Sequence, residues 1–256
     1  MESDFLNYNA TSIFNRDAFF INYCEEFFCF EDTYTRLDNI SYLISHKTDD
    51  QGKLMDLLVP FVVIILRQSI ISFDFLTRYN TSNSWLVFRP ALEAILFIGK
   101  FLDNGDNFAL WRDKRDRYKE YKKEFEGPRL APKSLHHGER FRQLFSKIND
   151  EYMHTNYDYI KNNISHRSLD DGRILLGISY TGTSEACIEA HLYSFLHVYH
   201  LMVTSLGKIL SSRYSDEKAL NIDVRSIERW KPKVEKLIQV HPHLKDLCNT
   251  LGLWEI

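Results

Sequence analysis

Glycine and proline, the residues that most often interrupt regular backbone structure, are scarce in this chain. Ten glycines and six prolines occur among its 256 residues, about half of their usual share. A β-sandwich or β-barrel turns every ~10 residues and uses both residue types more heavily. Intrinsic disorder is excluded, because 44% of the residues are hydrophobic and the formal net charge is only −3. The sequence therefore predicts an all-α fold, a single multi-helix bundle.

Hydrophobic residues recur at helical spacing along most of the chain. The predicted helices span 15–45, 53–79, 84–103, 106–126, 138–165, 184–212, 224–240 and 242–250. At most one short strand or extended connector is expected, near 173–180, where the letters RILLGISY follow a turn. We predict one domain, 1–256, with its core at about 15–212 and the helices of 224–250 packed on it.

The hydrophobic segments and the cysteines bear on the location of the protein. The most hydrophobic stretch, Leu57–Leu66, is ten residues long, whereas a membrane span needs about 20 apolar residues. This stretch predicts a buried core helix and no membrane role. Met1–Ala10 has no apolar segment of the secretory kind, and the four cysteines form no C-x-x-C pair. We therefore expect a cytoplasmic protein with reduced cysteines.

Arg89 and Glu93 lie four residues apart in the predicted helix 84–103 and so share one of its faces. Apolar residues surround them, which predicts a buried helix. Two charges there need partners, because an unpaired buried charge costs several kcal/mol. In a functional interpretation, Glu93 is a base or a ligand and Arg89 is an anion clamp. In a structural interpretation, the two form a buried ion pair that sets the helix register.

His166 stands near the predicted end of the helix 138–165, in the segment YIKNNISHRS. Tyr159 and Asn163 share its helical face. A histidine beside amides and hydroxyls can hold one tautomer and exchange protons near neutral pH, which makes His166 a candidate general acid or base. Alternatively, it is a helix-terminal histidine that interacts with free backbone carbonyls.

The predicted helix 106–126 carries a stripe of four basic residues with four aromatic residues beside it. The basic residues are Arg112, Arg115, Lys119 and Lys122, and the aromatic residues are Trp111, Tyr118, Tyr121 and Phe125. Such a stripe can follow the phosphates of a nucleic acid and stack its bases. Because carboxylates interleave with it, the stripe can equally be a solvated helix face whose aromatic residues point to the core.

Three short elements resemble a family of uncharacterised bacterial helical proteins. The elements are R-P-A-L-E (Arg89–Glu93), the aromatic and basic helix that follows it, and S-H-R-S (Ser165–Ser168). That family is similar in turn to abortive-infection and HEPN-type proteins, many of which are ribonucleases or inert relatives of ribonucleases. The resemblance implies a HEPN-like bundle and points to Arg89, Glu93, His166 and Ser168 as catalytic residues.

One departure from the HEPN pattern affects the catalytic hypothesis. HEPN ribonucleases are marked by an arginine with a histidine a few residues later on a helix. The pair of that kind here, Arg129 and His136, has Pro132 between its members in a predicted loop. Catalysis would therefore use the dispersed residues, with Glu93 and His166 transferring protons and Arg89 binding phosphate charge.

Carboxylates and histidines on neighbouring helices can also build a metal site in a bundle. The candidates are Glu93, Glu189, His197 and His200. The paired Glu-x-x-His pattern of di-iron proteins is absent, as are the glycine-rich nucleotide loops. We therefore predict no metal and no cofactor, and keep a metal-dependent enzyme as an alternative.

Three function hypotheses follow, and the sequence leaves open whether the protein is an enzyme. The first is a HEPN-like or abortive-infection-like protein that acts on RNA or binds it. The second is a non-enzymatic interaction module that forms a homo-oligomer. The third is the metal-dependent helical enzyme.

Overall fold

A computed structural model of the chain describes residues 4–46, 52–153, 164–168, 174–178, 185–211 and 228–254. Ten α-helices lie in these ranges. They are α1 (Asp4–Asn22), α2 (Cys24–His46), α3 (Gly52–Thr77), α4 (Thr81–Asp103), α5 (Asp106–Arg112), α6 (Tyr118–Phe125), α7 (Gly138–Ile148), α8 (Glu185–Ser211), α9 (Lys231–Val240) and α10 (Lys245–Gly252). The prediction of an all-α bundle is confirmed for the described residues, which add one β-hairpin.

The hairpin consists of β1 (Ile164–Ser168) and β2 (Ile174–Ile178), paired antiparallel with His166 opposite Leu176. β2 falls where one strand or connector was expected. The prediction of one helix over 138–165 is wrong at its C-terminal end, where β1 lies. The helix ends at Ile148 and is followed by a π-helical turn at Asn149–Met153. In β1 the backbone N–H and C=O groups form hydrogen bonds with a second segment. The helical periodicity of a single segment cannot predict such pairing.

α3 and α4 form the centre of the bundle as an antiparallel pair. Near the start of α3, the Phe61 ring contacts Phe97 of α4, with centroids 6.2 Å apart. At the opposite end, the Ser72 hydroxyl donates to the Ser84 carbonyl oxygen at 2.8 Å. The second half of α4 is buried on all sides apart from Glu93 and its final residue, because α3, α7 and α8 all pack against it.

A short turn joins α3 to α4. Tyr79 adopts a left-handed backbone conformation there, with φ 59°. The Asn80 side chain caps α4 by accepting a hydrogen bond from the Asn83 backbone N–H at 3.3 Å. The cap satisfies one of the N–H groups that have no partner inside the helix. α4 therefore begins at Thr81, three residues before the start predicted from the sequence.

Two groups of aromatic rings fill the core. Phe30, Phe73, Phe88 and Phe195 join α2, α3, α4 and α8. Phe61, Phe97, Phe101, Trp111 and Phe125 hold α5 and α6 against α3 and α4. Burial of each large apolar side chain contributes roughly 1.5–3 kcal/mol to folding, so these rings are a main source of stability.

The C-terminal helices α9 and α10 pack on α8. Charged residues also link this region to α2. The Lys233 ammonium group lies 2.7 Å from a Glu25 carboxylate oxygen and 2.6 Å from a Glu26 oxygen, and Arg229 pairs with Glu25 as well. Hydrogen bonds from Lys233 and Arg229 lower the pKa of Glu25 to about 2. The carboxylate is therefore ionised throughout the physiological range.

The outer face of α3 is apolar and exposed. Val63, Ile64 and Ile70 point away from the bundle core. Within the described residues, one helical segment, Leu57–Thr77, has the length and the apolar composition needed to cross a membrane. Its mean hydropathy is 1.8, and 44% of it is buried. The expected core helix thus has a buried side against α4 and a second, solvent-facing apolar side. The prediction of no membrane role stays a prediction.

Two further predicted helices are interrupted. The helix expected over 15–45 starts earlier and is divided at Tyr23, although hydrogen bonds from Tyr23 N–H to Phe19 and from Phe27 N–H to Tyr23 continue the helical pattern. The helix expected over 106–126 is divided into α5 and α6 by a turn at 113–117. All residues from 112 to 117 are charged, so no apolar side chain holds this stretch against the core as a helix.

Candidate functional site

Arg89 and Glu93 lie on the side of α4 that faces α7. Their side chains are 24% and 35% exposed, and Arg89 Nη1 is 3.6 Å from Glu93 Oε2. The pair is therefore partly exposed, whereas the sequence predicted a buried pair. The reason is that α4 turns this one face to the rim of the bundle, where α7 covers it only in part.

Arg89 has further partners on the neighbouring segment. Its Nε donates to the Asn149 side-chain oxygen, and its guanidinium group lies 4.6 Å from the centre of the Phe145 ring. A guanidinium over an aromatic face is a favourable contact. Arg89 thus joins α4 to the end of α7, which supports the structural interpretation. The catalytic roles of Arg89 and Glu93 stay predictions.

His166 and Ser168 were predicted as catalytic residues on a helix end. Their backbone belongs to β1 instead, while their side chains lie outside the described residues. The prediction that His166 meets Arg89 and Glu93 in one pocket therefore stays a prediction. Tyr159 and Asn163, which were expected to share the His166 face, also lie outside the described ranges.

The four residues of the predicted basic stripe do not share one helix. Arg112 ends α5, Arg115 lies in the turn, and Lys119 and Lys122 belong to α6. Arg112 is paired with Asp113 at 2.7 Å, and this hydrogen bond lowers the pKa of the Asp113 carboxyl group. Lys122 is paired with Glu126 at 3.6 Å. Arg115 and Lys119 are exposed and have no carboxylate partner among the described residues.

Ion pairs engage most of the carboxylates that interleave with the cations in this region. Between residues 113 and 126, the carboxylates of Asp113, Glu120, Glu124 and Glu126 each pair with a cation. Asp116 is the fifth carboxylate of this stretch. Six exposed cations from α5 to the following loop have no carboxylate partner in the described part of the chain. They are Lys114, Arg115, Lys119, Lys123, Arg129 and Lys133, here called the basic surface.

The aromatic residues of the predicted stripe separate into two kinds. Trp111 and Phe125 contact Phe97 in the core, and Tyr121 stacks on Phe125 with centroids 5.0 Å apart. Tyr118 is 55% exposed. The Lys122 ammonium group lies 5.0 Å from the Tyr118 ring centre. Two aromatic side chains therefore accompany the basic surface, rather than the four expected. They are the exposed Tyr118 and the half-buried Tyr121, whose ring centre lies 5.8 Å from the Lys114 ammonium group.

His191 and His200 are buried on α8 and have structural partners. The Trp85 indole N–H donates to His191 Nδ1 at 2.9 Å, and burial lowers the His191 pKa to about 4. Burial also lowers the pKa of His200. Its Nδ1 lies 2.8 Å from the Leu196 carbonyl oxygen, which can only accept. In neutral His200 the acceptor is therefore Nε2, which lies 2.7 Å from the Thr33 hydroxyl. That hydroxyl also lies 2.8 Å from the Cys29 carbonyl oxygen, so its single proton is shared between the two acceptors.

The metal-enzyme alternative gains no support from these positions. His200 faces Thr33, whereas the His197 ring stands edge-on against Trp254 with centroids 3.5 Å apart. In the part of the chain that the structure describes, no three histidine, cysteine, aspartate or glutamate side chains are placed to hold a metal ion. The prediction of no metal stays a prediction.

A cleft that sequence reasoning missed lies between α7 and the end of the chain. It has a volume of about 510 Å³, and Arg140, Lys147 and Trp254 are among its lining residues. Arg140 and Lys147 are seven residues apart, two turns along one helical face, which is a weak signal on any charged helix. Nothing in the sequence indicates that Trp254 would meet them.

Comparisons of the chain with protein-family models, with curated proteins and with solved structures found no match. The resemblance to HEPN-type and abortive-infection proteins therefore stays a prediction from the sequence.

Proposed function

We propose that this helical protein binds single-stranded RNA through the basic surface. The observation that carries the proposal is the distribution of ion pairs. The pairs occupy four of the five carboxylates between residues 113 and 126, while the six cations of the basic surface have no carboxylate partner in the described residues. The surface therefore presents positive charge that is available to an anionic chain.

Two physical effects support a nucleic acid as that chain. Cations that neutralise phosphates release condensed counterions, and this release drives binding at low salt. The exposed Tyr118 ring on α6 offers a face on which a base can stack, a contact worth about 1–3 kcal/mol and tolerant of sequence. Stacking requires unpaired bases, so we propose a single strand as the ligand.

The test is a titration of labelled single-stranded RNA of mixed sequence, followed by fluorescence anisotropy at several salt concentrations. Four phosphate contacts give a slope of about −3 in log K against log salt, at roughly −0.7 per contact for a single strand. Replacing both Arg115 and Lys119 by glutamine should flatten the slope by about 1.4. Tyr118→Ala should weaken binding about tenfold, with the slope unchanged.

A matched control is the double variant Arg112→Gln and Lys122→Gln, which removes the same formal charge. These two cations are paired with Asp113 and Glu126, so we expect a smaller change in slope than for Arg115 and Lys119. Absence of RNA binding at micromolar protein and low salt would overturn the proposal. Equal effects of the two double variants would show that the ion-pair argument is wrong.

The homo-oligomeric interaction module is the second candidate function. The observation that favours it is the exposed apolar face of α3, with Val63, Ile64 and Ile70. We propose a second copy of the chain as the partner of this face, because self-association lets one patch meet an identical patch across a two-fold axis.

A further inference from the structure

The cleft between α7 and α10 has positively charged and polar walls. α7 contributes Arg140, Gln143, Leu144 and Lys147, and the C-terminal region contributes Asn249, Thr250, Leu253 and Trp254. Among these described lining residues there are two cations and no carboxylate. The volume of about 510 Å³ is in the usual range for small-molecule sites, roughly 300–1,000 Å³, and far exceeds one inorganic ion.

Buried polar atoms without partners lie behind the Trp254 wall. Trp254 is 8% exposed, and its indole N–H, the Ser194 hydroxyl and His197 Nδ1 have no hydrogen-bond partner in the described structure. Each unsatisfied buried polar group costs roughly 1–3 kcal/mol. Native proteins keep such groups rarely, and functional sites are one place where they do.

Close backbone approach brings these polar atoms together. Gly252 has no side chain, and a Cβ there would lie 2.1 Å from Trp254 Nε1 and 3.0 Å from Ser194 Oγ. The indole thus sits directly over the Gly252 backbone, beside Ser194 of α8. A larger residue at this position would displace the indole from the cleft wall.

Two basic side chains of α7, Arg140 and Lys147, lie at this end of the bundle. Burial holds the pKa of His197 well below its ordinary value. Lys147 is paired with Glu151 of the π-helical turn. Its ammonium group has three N–H donors, so it can contact an entering anion as well as this carboxylate. An anion that enters would meet Arg140 and Lys147 on the same face of α7.

We propose that this cleft binds a small phosphorylated molecule, with Arg140 and Lys147 as its phosphate-binding groups. Phosphate carries negative charge and several acceptor oxygens, and guanidinium and ammonium groups bind it through charge-assisted hydrogen bonds. The remaining volume accommodates an organic portion of nucleotide size, next to Leu144 and Leu253. This site is separate from the basic surface proposed for RNA.

The direct test is calorimetric titration of the full chain with pyrophosphate and with AMP at low salt. We expect saturable binding with Kd below about 1 mM, which corresponds to about −4 kcal/mol. Arg140→Gln and Lys147→Gln should each weaken binding about tenfold. Citrate at the same ionic strength serves as a polyanion without phosphate and should bind more weakly.

Glu151→Gln is the matched control for Lys147→Gln. It breaks the same ion pair but keeps the ammonium group, so binding should be unchanged or tighter. The Arg115→Gln and Lys119→Gln double variant should bind both probes as the native chain does, which separates this site from RNA binding. The proposal is overturned if neither probe saturates, if citrate binds as tightly, or if Arg140→Gln and Lys147→Gln bind normally.

Discussion

At the scale of single residues, the buried histidines of α8 show how position decides protonation. His191 receives a hydrogen bond from the Trp85 indole at Nδ1, and it lies 106 residues along the chain from that donor. Burial lowers its pKa to about 4, from an ordinary value of 6.5. A histidine in this state is a neutral acceptor in the core and cannot serve as an acid or base near pH 7.

This pKa predicts acid sensitivity that can be assigned to His191. Because the folded-state pKa lies below the unfolded one, the unfolded chain binds more protons between pH 6.5 and 4. The contribution to stability is complete above pH 6.5 and is lost as pH falls through this window. On lowering the pH from 7.5 to 5, protonation linked to His191 should reduce the free energy of unfolding by about 2 kcal/mol. Urea denaturation at the two pH values measures this change.

The variant His191→Gln isolates this effect, since the glutamine oxygen can still accept from Trp85. Over the same pH change, its free energy of unfolding should fall by about 2 kcal/mol less than that of the native chain. His243→Gln, at an exposed histidine, should behave as the native chain does. An unchanged pH dependence in His191→Gln would contradict the assignment.

At the scale of elements, the loop between α6 and α7 is held closely against α4. A Cβ at Gly99 would lie 2.5 Å from Pro132 Cγ and 3.1 Å from Leu135 Cβ, so the loop packs directly on the α4 backbone. Next to it, the buried Lys100 ammonium group pairs with Glu124 and donates to the Arg129 carbonyl oxygen at 3.1 Å. These contacts fix the part of the chain that carries the basic surface.

Gly99→Ala should therefore destabilise the protein by about 1–3 kcal/mol, because the proline ring cannot move aside as a flexible side chain would. The measurement is the free energy of unfolding in urea. Weaker hydrogen-exchange protection in α6 and the start of α7 should accompany it, since the loop joins these helices.

Gly105→Ala is the control for this prediction. A Cβ at Gly105 meets nothing within 4 Å, and its backbone is already right-handed helical, with φ −57° and ψ −30°. Alanine there should be neutral or stabilise by up to about 1 kcal/mol. If the Gly99→Ala variant were as stable as the Gly105→Ala variant, the result would contradict close packing of the loop on α4.

At the scale of the whole molecule, charge is distributed unevenly. Residues 1–60 contain 4 basic and 11 acidic residues, and residues 112–147 contain 12 basic and 6 acidic residues. The two regions differ in how many of their charged side chains form ion pairs in the fold. Glu25 and Glu26 of α2 pair with Lys233 of α9 and with Arg229 just before it. The basic surface, in contrast, has cations without carboxylate partners in the described residues.

The apolar outer face of α3 predicts self-association of the native chain. Light scattering after size exclusion should show a dimer at micromolar concentration. Replacing Val63 and Ile70 by glutamate should weaken the dimer more than about tenfold, because burying an unpaired charge at an interface costs more than about 1.4 kcal/mol. Both positions are exposed in the single chain, so the double variant should remain folded.

The control for self-association is Ile21→Glu on α1, an exposed apolar residue on another helix. It should leave the dimer intact. A native chain that stays monomeric at all concentrations would overturn the proposal. Flotation of the native chain with liposomes that is lost in the Val63→Glu, Ile70→Glu variant would also overturn it, because the α3 face would then bind lipid.

The sequence by itself determined the fold class and most of the helices. Low glycine and proline content and helical periodicity are local properties, and they report directly on backbone preference. For the same reason, the spans of α3, α4, α8 and α9 were predicted to within a few residues, apart from the N-terminal end of α9. Arg115 and Lys119 were also identified as candidate binding residues from the sequence, because an exposed cation needs no particular tertiary partner.

Tertiary structure alone decided which polar groups are engaged. Arg89 and Asn149 are 60 residues apart, Trp85 and His191 are 106 apart, and Thr33 and His200 are 167 apart. A hydrogen bond forms when two groups come within about 3 Å with the right orientation, and sequence spacing carries no such information beyond one helix. The division of 106–126, the pairing of β1 with β2 and the cleft beside Trp254 arise in the same way, from segments that meet only when the chain is folded.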